Sequence, residues 1–204
     1  MATLIPTYYA HFQYYVWPMD KHFISADALL ADSYTLADAI LSSDFKPDFI
    51  IAIWRGGAPV AAAIHEYFTF KQISTDRIAI RASSYQGIDQ QDNTVRLYGM
   101  EYVLDNLHPN SHVLLVDDIF DTGNTMTTII QTLTDKLPSL APNNIKTATP
   151  WYKPSRNQSP YTPDYYLHST DKWVVFPHEL CGLSLDEIID NKRFTDSTKK
   201  LFTP

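Results

Sequence analysis

The chain has 204 residues, 45% of them hydrophobic and 19% charged, the make-up of an ordinary globular protein of one domain with room for a real core. A net charge of −7 argues against a broad nucleic-acid-binding face, and no apolar run reaches the length of a membrane span. A single cysteine, Cys181, excludes an internal disulfide and any multi-cysteine metal site, and residues 1–20 lack the basic flank and cleavage site of a signal peptide, so the cytoplasm is the default location.

Ser25 is placed as the N-cap of a helix reaching about residue 41, with Ala28, Leu29, Leu36, Ile40 and Leu41 available for its apolar face. Pro47 then precedes Asp48-Phe-Ile-Ile-Ala-Ile-Trp54, an apolar run suited to a strand buried on both faces of a sheet. This run ends in Trp54-Arg55-Gly56-Gly57. Glycine there lets backbone approach a ligand, and Arg55 offers a fixed fork of donors to anionic oxygens. The plainer alternative is an arginine on a surface turn. Residues 59–68 read as the next helix, with Pro59 in its first turn, and residues 77–83 as a strand. The polar residues from Gln86 to Thr94 form a mobile loop.

Residues 113–126 are the most informative. Val-Leu-Leu-Val runs into Asp117 and Asp118, then Asp121, then Thr122-Gly123-Asn124-Thr125, which opens a helix from about 123 to 136. Hydroxyls and backbone N–H groups at a helix N-terminus suit a phosphate. Carboxylates beside a phosphate repel it unless they hold a cation or ligand hydroxyls, so the pairing points to a sugar phosphate with a divalent metal. A further strand spans 145–152. Beyond it Pro154, Pro160 and Pro163 break the chain, and Tyr161, Tyr165, Tyr166, Trp173 and Phe176 crowd together as a small subdomain over the carboxyl ends of the strands. Strands alternating with helices imply an α/β fold with a mostly parallel sheet.

The order acidic-acidic-apolar-apolar-Asp-Thr-Gly-x-Thr after a buried strand resembles the 5-phosphoribosyl-1-pyrophosphate (PRPP) motif of the type I phosphoribosyltransferases, over roughly residues 25–190. The resemblance implies a Rossmann-like sheet flanked by helices in a single domain of residues 1–204. Its core would run over about 25–152, with a hood from about 153–190 joined by part of 1–24. It also implies Mg2+, PRPP and a purine base as ligands, no nucleic-acid or membrane partner, and a homodimer or homotetramer. Thr122, Gly123, Asn124 and Thr125 would hold the 5′-phosphate, with Asn124 standing where relatives often carry Lys or Gly. Asp117 and Asp118 would accept from the ribose hydroxyls, and Asp118 would also contact Mg2+. Asp121 would be the general base beside the incoming purine.

The turn at 54–57 resembles the pyrophosphate loop of the same family, with a cis peptide before Arg55, although Trp54 departs from the small or aliphatic residue usual there. Pro150-Trp-Tyr-Lys153-Pro154 and Lys172-Trp173-Val-Val-Phe-Pro-His178-Glu179 look like the base-recognition segments of xanthine-guanine and hypoxanthine phosphoribosyltransferases. Lys153 would donate to the purine 6-oxo group, Trp173 would stack on the ring, and carbonyls near Val174 and Phe176 would read its edge. Glu179 would help hold a second metal. His178 replaces a tryptophan common in relatives. Ser84 and Tyr85 with the loop to Leu97 resemble the segment that closes over PRPP, with Arg96 in reach of the site. The implied activity is transfer of the phosphoribosyl group from PRPP to guanine, xanthine or hypoxanthine. A non-catalytic sensor of PRPP or nucleotides, or transfer to another base, stay open as alternatives.

Overall fold

A computed structural model describes residues 20–85 and 94–202, with the side chains at 84, 85 and 94 outside that description. The loop placed at 86–94 therefore lies outside the described residues but for the backbone of Thr94.

The chain enters at strand β1 (Lys21–Phe23) and turns into helix α1 (Ala26–Ser42), which Ser25 caps by accepting the Ala28 N–H. Its buried stripe is Leu29, Ser33, Leu36, Ala37 and Ile40, at helical spacing, while Ala28 falls outside it and is exposed. Strand β2 (Phe49–Trp54) follows, buried except at Trp54. Helix α2 (Gly57–Phe70) begins two residues earlier than expected, because Pro59 in the first turn has no N–H that the helix needs. Strand β3 (Asp76–Tyr85) folds back as an antiparallel hairpin into β4 (Thr94–Tyr98), and the short helix α3 (Met100–Asn106) leads to β5 (Val113–Val116).

Strand β5 covers only the four apolar residues ahead of the acidic pair. After Val116 the backbone diverges, and β6 (Ile119–Phe120) joins a different sheet before α4 (Asn124–Lys136). The strand expected at 145–152 also divides, into β7 (Ile145–Ala148) and β8 (Trp151–Tyr152). Pro150 lies at the break and lacks a ladder donor, while Thr149 N–H turns to the Tyr165 carbonyl at 3.0 Å. Strands β9 (His168–Ser169) and β10 (Trp173–Val175), then helices α5 (Leu185–Asn191) and α6 (Asp196–Lys199), complete the fold.

The central sheet has the order β4-β3-β2-β5-β7, parallel but for β4. Ile50, Ala52, Leu114 and Val116 face α1 and α2, whereas Phe49, Ile51, Ile53, Val113 and Leu115 face α3 and α4. Each strand alternates between the two cores, which is why β2 and β5 read as unbroken apolar runs. Two smaller sheets flank it. One pairs β6, β8 and β9, and the other pairs β1 with β10, Lys21 opposite Trp173. This architecture sets the carboxyl ends of β2 and β5 side by side, the first leading directly and the second through β6 into a glycine turn and a helix.

Candidate active site

At the end of β2 the Trp54–Arg55 peptide bond is cis, and both residues are exposed. The next two residues are pressed against the end of β5. A Cβ on Gly56 would lie 2.0 Å from Asp118 Oδ2, and one on Gly57 would lie 2.2 Å from the Val116 carbonyl oxygen. Only glycine fits there. The backbone N–H groups of Gly57 and Asp118 point at the Asp117 carboxylate, the latter at 3.0 Å from Oδ1. Lost hydration and the neighbouring Asp118 charge nevertheless push the Asp117 carboxyl well above the usual carboxylate range. The first turn and the acidic pair are thus one packed unit, as the β2–β5 pairing dictates.

The second turn follows β6. Gly123 adopts a left-handed φ of 79°, and a Cβ there would meet Ser159 Oγ at 2.4 Å and the Phe120 ring at 2.7 Å. Its carbonyl takes the Thr127 N–H as α4 begins, and the Asn124 N–H reaches Thr122 Oγ1 at 3.4 Å. Thr122, Asn124 and Thr125 stand half-buried around the N-terminus of a 13-residue helix. The aligned N–H dipoles there favour an anion.

Asp121, between the acidic pair and this turn, carries two cations. Lys153, buried just after β8, places Nζ 3.4 Å from Asp121 Oδ2, and Arg156 places Nε 2.8 Å from Oδ1. The Arg156 N–H is not aimed along that line, so the buried Oδ1 makes no hydrogen bond. Lys153 is fixed by its own N–H on the Phe120 carbonyl, 2.9 Å away, which ties the β8 end to the β6 end.

A cleft of about 330 Å³ opens here, lined by Asp118, Ile119, Asp121, Lys153, Arg156, Asp171, Trp173, Val174, Phe176 and Glu179. It gathers seven of the residues singled out from sequence. Trp173 is partly exposed to it, while Val174 and Phe176 are buried in its wall. One expectation needs correcting. The Phe176 carbonyl already accepts the Glu179 N–H at 3.1 Å and Lys192 Nζ at 2.5 Å, so both its lone pairs are used inside the protein. Glu179 in turn accepts the Phe176 N–H on Oε2 at 3.0 Å.

Arg55, Gly56, Gly57, Asp117 and the 122–125 turn flank the cleft rather than line it. Ser84 and Tyr85 lie at the end of β3, paired with Val95 and Thr94. That strand sits beyond β2 from the second turn. Three polar residues around the cleft had not been singled out as contacts. Arg156 stands three residues after Lys153 at the end of a 3₁₀ turn (Pro154–Arg156), a spacing that shares one face and was a readable signal. Asp171 accepts from Ser155. His178 stacks on Phe176 and places Nε2 3.3 Å from Asp118 Oδ2, a contact no local pattern announces.

Residues 25–184 match the family described as phosphoribosyl transferase domain. The chain is 27% identical over 175 residues to a xanthine-guanine phosphoribosyltransferase of Chromohalobacter salexigens, covering 85% of this chain and 93% of the relative. It is 27% identical over 171 residues to a hypoxanthine-guanine phosphoribosyltransferase of Mus spretus, covering 79% and 76%. Among solved structures it is similar to a purine phosphoribosyltransferase from Pyrococcus horikoshii, with a TM-score of 0.60, 27% identity and coverage of 81% and 98%.

Proposed function

The chain belongs to the phosphoribosyl transferase family, and from that premise we propose that it transfers the 5-phosphoribosyl group of PRPP to an oxopurine. The products are pyrophosphate and a nucleoside 5′-monophosphate. The observation that carries this reading is the joint placement of Asp121, Lys153 and Trp173 in one cleft that begins at the acidic pair. A ring stacked on Trp173 would have in the same cleft a cationic donor for a 6-oxo group and, in Asp121, a carboxylate to accept a ring proton.

In this reading the 122–125 turn grips the 5′-phosphate, and Asp117 and Asp118 accept from the ribose hydroxyls. Arg55 with the Gly56 and Gly57 N–H groups holds the pyrophosphate. Ser84 and Tyr85 are kept as PRPP contacts from the end of β3. The bond from the anomeric carbon to the pyrophosphate oxygen breaks as the bond to a purine nitrogen forms, and Asp121 takes the proton that nitrogen loses. Lys153 discriminates oxopurines from adenine. The Val174 carbonyl reads the far edge, without help from Phe176.

Among the described residues no cluster of three or more His, Cys, Asp or Glu is arranged for a metal. That fits Mg2+, which is commonly held by one or two carboxylates together with water and substrate phosphates. Asp118 is the proposed ligand and Glu179 the proposed second-site donor; burial lifts Asp117 most, and the further rise due to the Asp118 charge is what a divalent cation would relieve. When bound, Mg2+ neutralises charge on the phosphate oxygens.

The test is pyrophosphate release from PRPP and Mg2+ with guanine, xanthine, hypoxanthine, adenine or uracil supplied singly. Release with at least one oxopurine and little with adenine is the expected result. Release with adenine alone overturns the pocket assignment, and PRPP binding without release for any base favours the sensor alternative.

The same reading takes segment 153–190 with β1 as a hood over the site, and takes the protein as a homodimer or homotetramer. What supports assembly is an uncovered sheet face. On the α2 side β3 shows Arg77, Ala79 and Arg81 exposed, beside a groove of about 430 Å³ that also includes Ala62 and Glu66. Parallel strands normally have both faces covered. A face carrying both Glu66 and Arg77 can meet its own copy across a two-fold axis. Ala79→Glu is expected to shift the protein to the monomer in sedimentation velocity, and an unchanged sedimentation coefficient removes this face from the interface. No helix among the described residues is long and apolar enough to cross a membrane.

A further inference from the structure

The turn that carries Phe176 and Glu179 is braced by a side chain that does not line the cleft. Lys192, at the C-terminal end of α5, is 6% exposed and donates through Nζ to the Phe176 carbonyl at 2.5 Å. That carbonyl and the Phe176 N–H are already bonded to the backbone and the carboxylate of Glu179. Lys192 therefore closes a network that holds the peptide between the hood strand and Glu179 in one orientation. Burial pushes the Lys192 ammonium below the usual lysine range, with the Glu179 charge opposing the fall. An apolar side chain of the same length would fill this space without desolvating a charge. The presence of a donor there points to the carbonyl it holds.

The other end of α5 grips the same hood strand. Ser184 and Glu187 form a capping box, and Glu187 Oε1 takes Lys21 Nζ at 2.6 Å. Lys21 Nζ lies 5.4 Å from the centre of the Trp173 ring and 3.4 Å from the Gly182 carbonyl. Neither Lys21 nor Gly182 lines the cleft, yet both lie against the Trp173 ring. One seven-residue helix thus fixes both the stacking ring and the turn beyond it.

We propose that Lys192 is a positioning residue for base recognition, acting through the Phe176–Glu179 turn and touching no substrate. The inference rests on reading the cleft as the purine site. It predicts a defect weighted toward the base, because the proposed PRPP contacts lie at the ends of β2, β3 and β5 and at the start of α4, and the described bonds of α5 run to Lys21 and Phe176 instead. In Lys192→Met, KM for the oxopurine rises about tenfold, the factor expected for one lost charged hydrogen bond transmitted to the pocket, while KM for PRPP and kcat stay within about twofold. Lys192→Arg, which keeps a charged donor, recovers most of the loss. Glu187→Gln, which loosens the other end without emptying a buried site, gives the same split in smaller measure and serves if Lys192→Met fails to fold. An unchanged base KM in the folded variants, or equal rises in both KM values, overturns the inference while leaving the proposed activity standing. Wild-type protein that transfers to no purine overturns the activity and this inference together.

Discussion

Asp121→Asn is expected to bind PRPP as well as the parent protein and to turn over about 10²–10⁴ times more slowly, the range for loss of a positioned general base. Binding should survive because Asp121 is not among the groups packed around the two turns. Its partners are Lys153 and Arg156 in the cleft. Turnover should fail for two reasons. An amide has almost no basicity, so the nitrogen's proton has no acceptor. The amide NH2 must also face either Lys153 Nζ or Arg156 Nε, and each is a donor, so the side chain rotates away from the buried position that Oδ1 holds without a hydrogen bond. The measurement is kcat with saturating oxopurine alongside PRPP affinity by calorimetry. A variant that turns over normally removes Asp121 from the mechanism, and one that loses PRPP affinity moves it to the sugar site.

Much of this was legible in the chain because it was written locally. A buried parallel strand leaves an unbroken apolar run, and a glycine turn ahead of a helix leaves its punctuation, so β2, β5 and the turns after them could be placed within a residue or two. Ser25 capping α1 is equally local. Three things were not legible. The hairpin return through β4 and the short helix α3 have too few residues to show a period. The division between β7 and β8 depends on Tyr165 offering a carbonyl to Thr149, a contact sixteen residues away. The fate of the Phe176 carbonyl depends on Lys192, also sixteen residues away, whose charge reads as a solvated helix end until the fold buries it. Most residues lining the cleft were therefore legible, but not which of their backbone groups are free to meet a ligand.

Gly57→Ala should damage both the fold and the activity, whereas Gly56→Ala should damage mainly the activity. An alanine at the first position of a helix ordinarily stabilises by restricting the unfolded chain. At Gly57 the new methyl lies 2.2 Å from the Val116 carbonyl oxygen and 3.0 Å from Asp117 Cα, both backbone atoms of the adjoining strand end. Nothing there can swing aside, so α2 and the end of β5 must separate. Overpacking of this kind costs about 1–3 kcal/mol, which for a domain of this size lowers Tm by about 2–12 °C. The shift also withdraws the Gly57 N–H from Asp117 and displaces the acidic pair from the first turn. A misplacement near 1 Å at such a site costs about 10² in rate. At Gly56 the obstacle is the Asp118 carboxylate, 2.0 Å from the added methyl, and a side chain can rotate. The fold then survives, but Asp118 leaves the position from which it would serve ribose and metal. Thermal melts and kcat/KM for PRPP on the two variants separate these outcomes. A Gly57→Ala protein with parental melting and parental kcat/KM would show that the two strand ends are not held as one unit, and the proposed sugar-phosphate site would lose its physical basis.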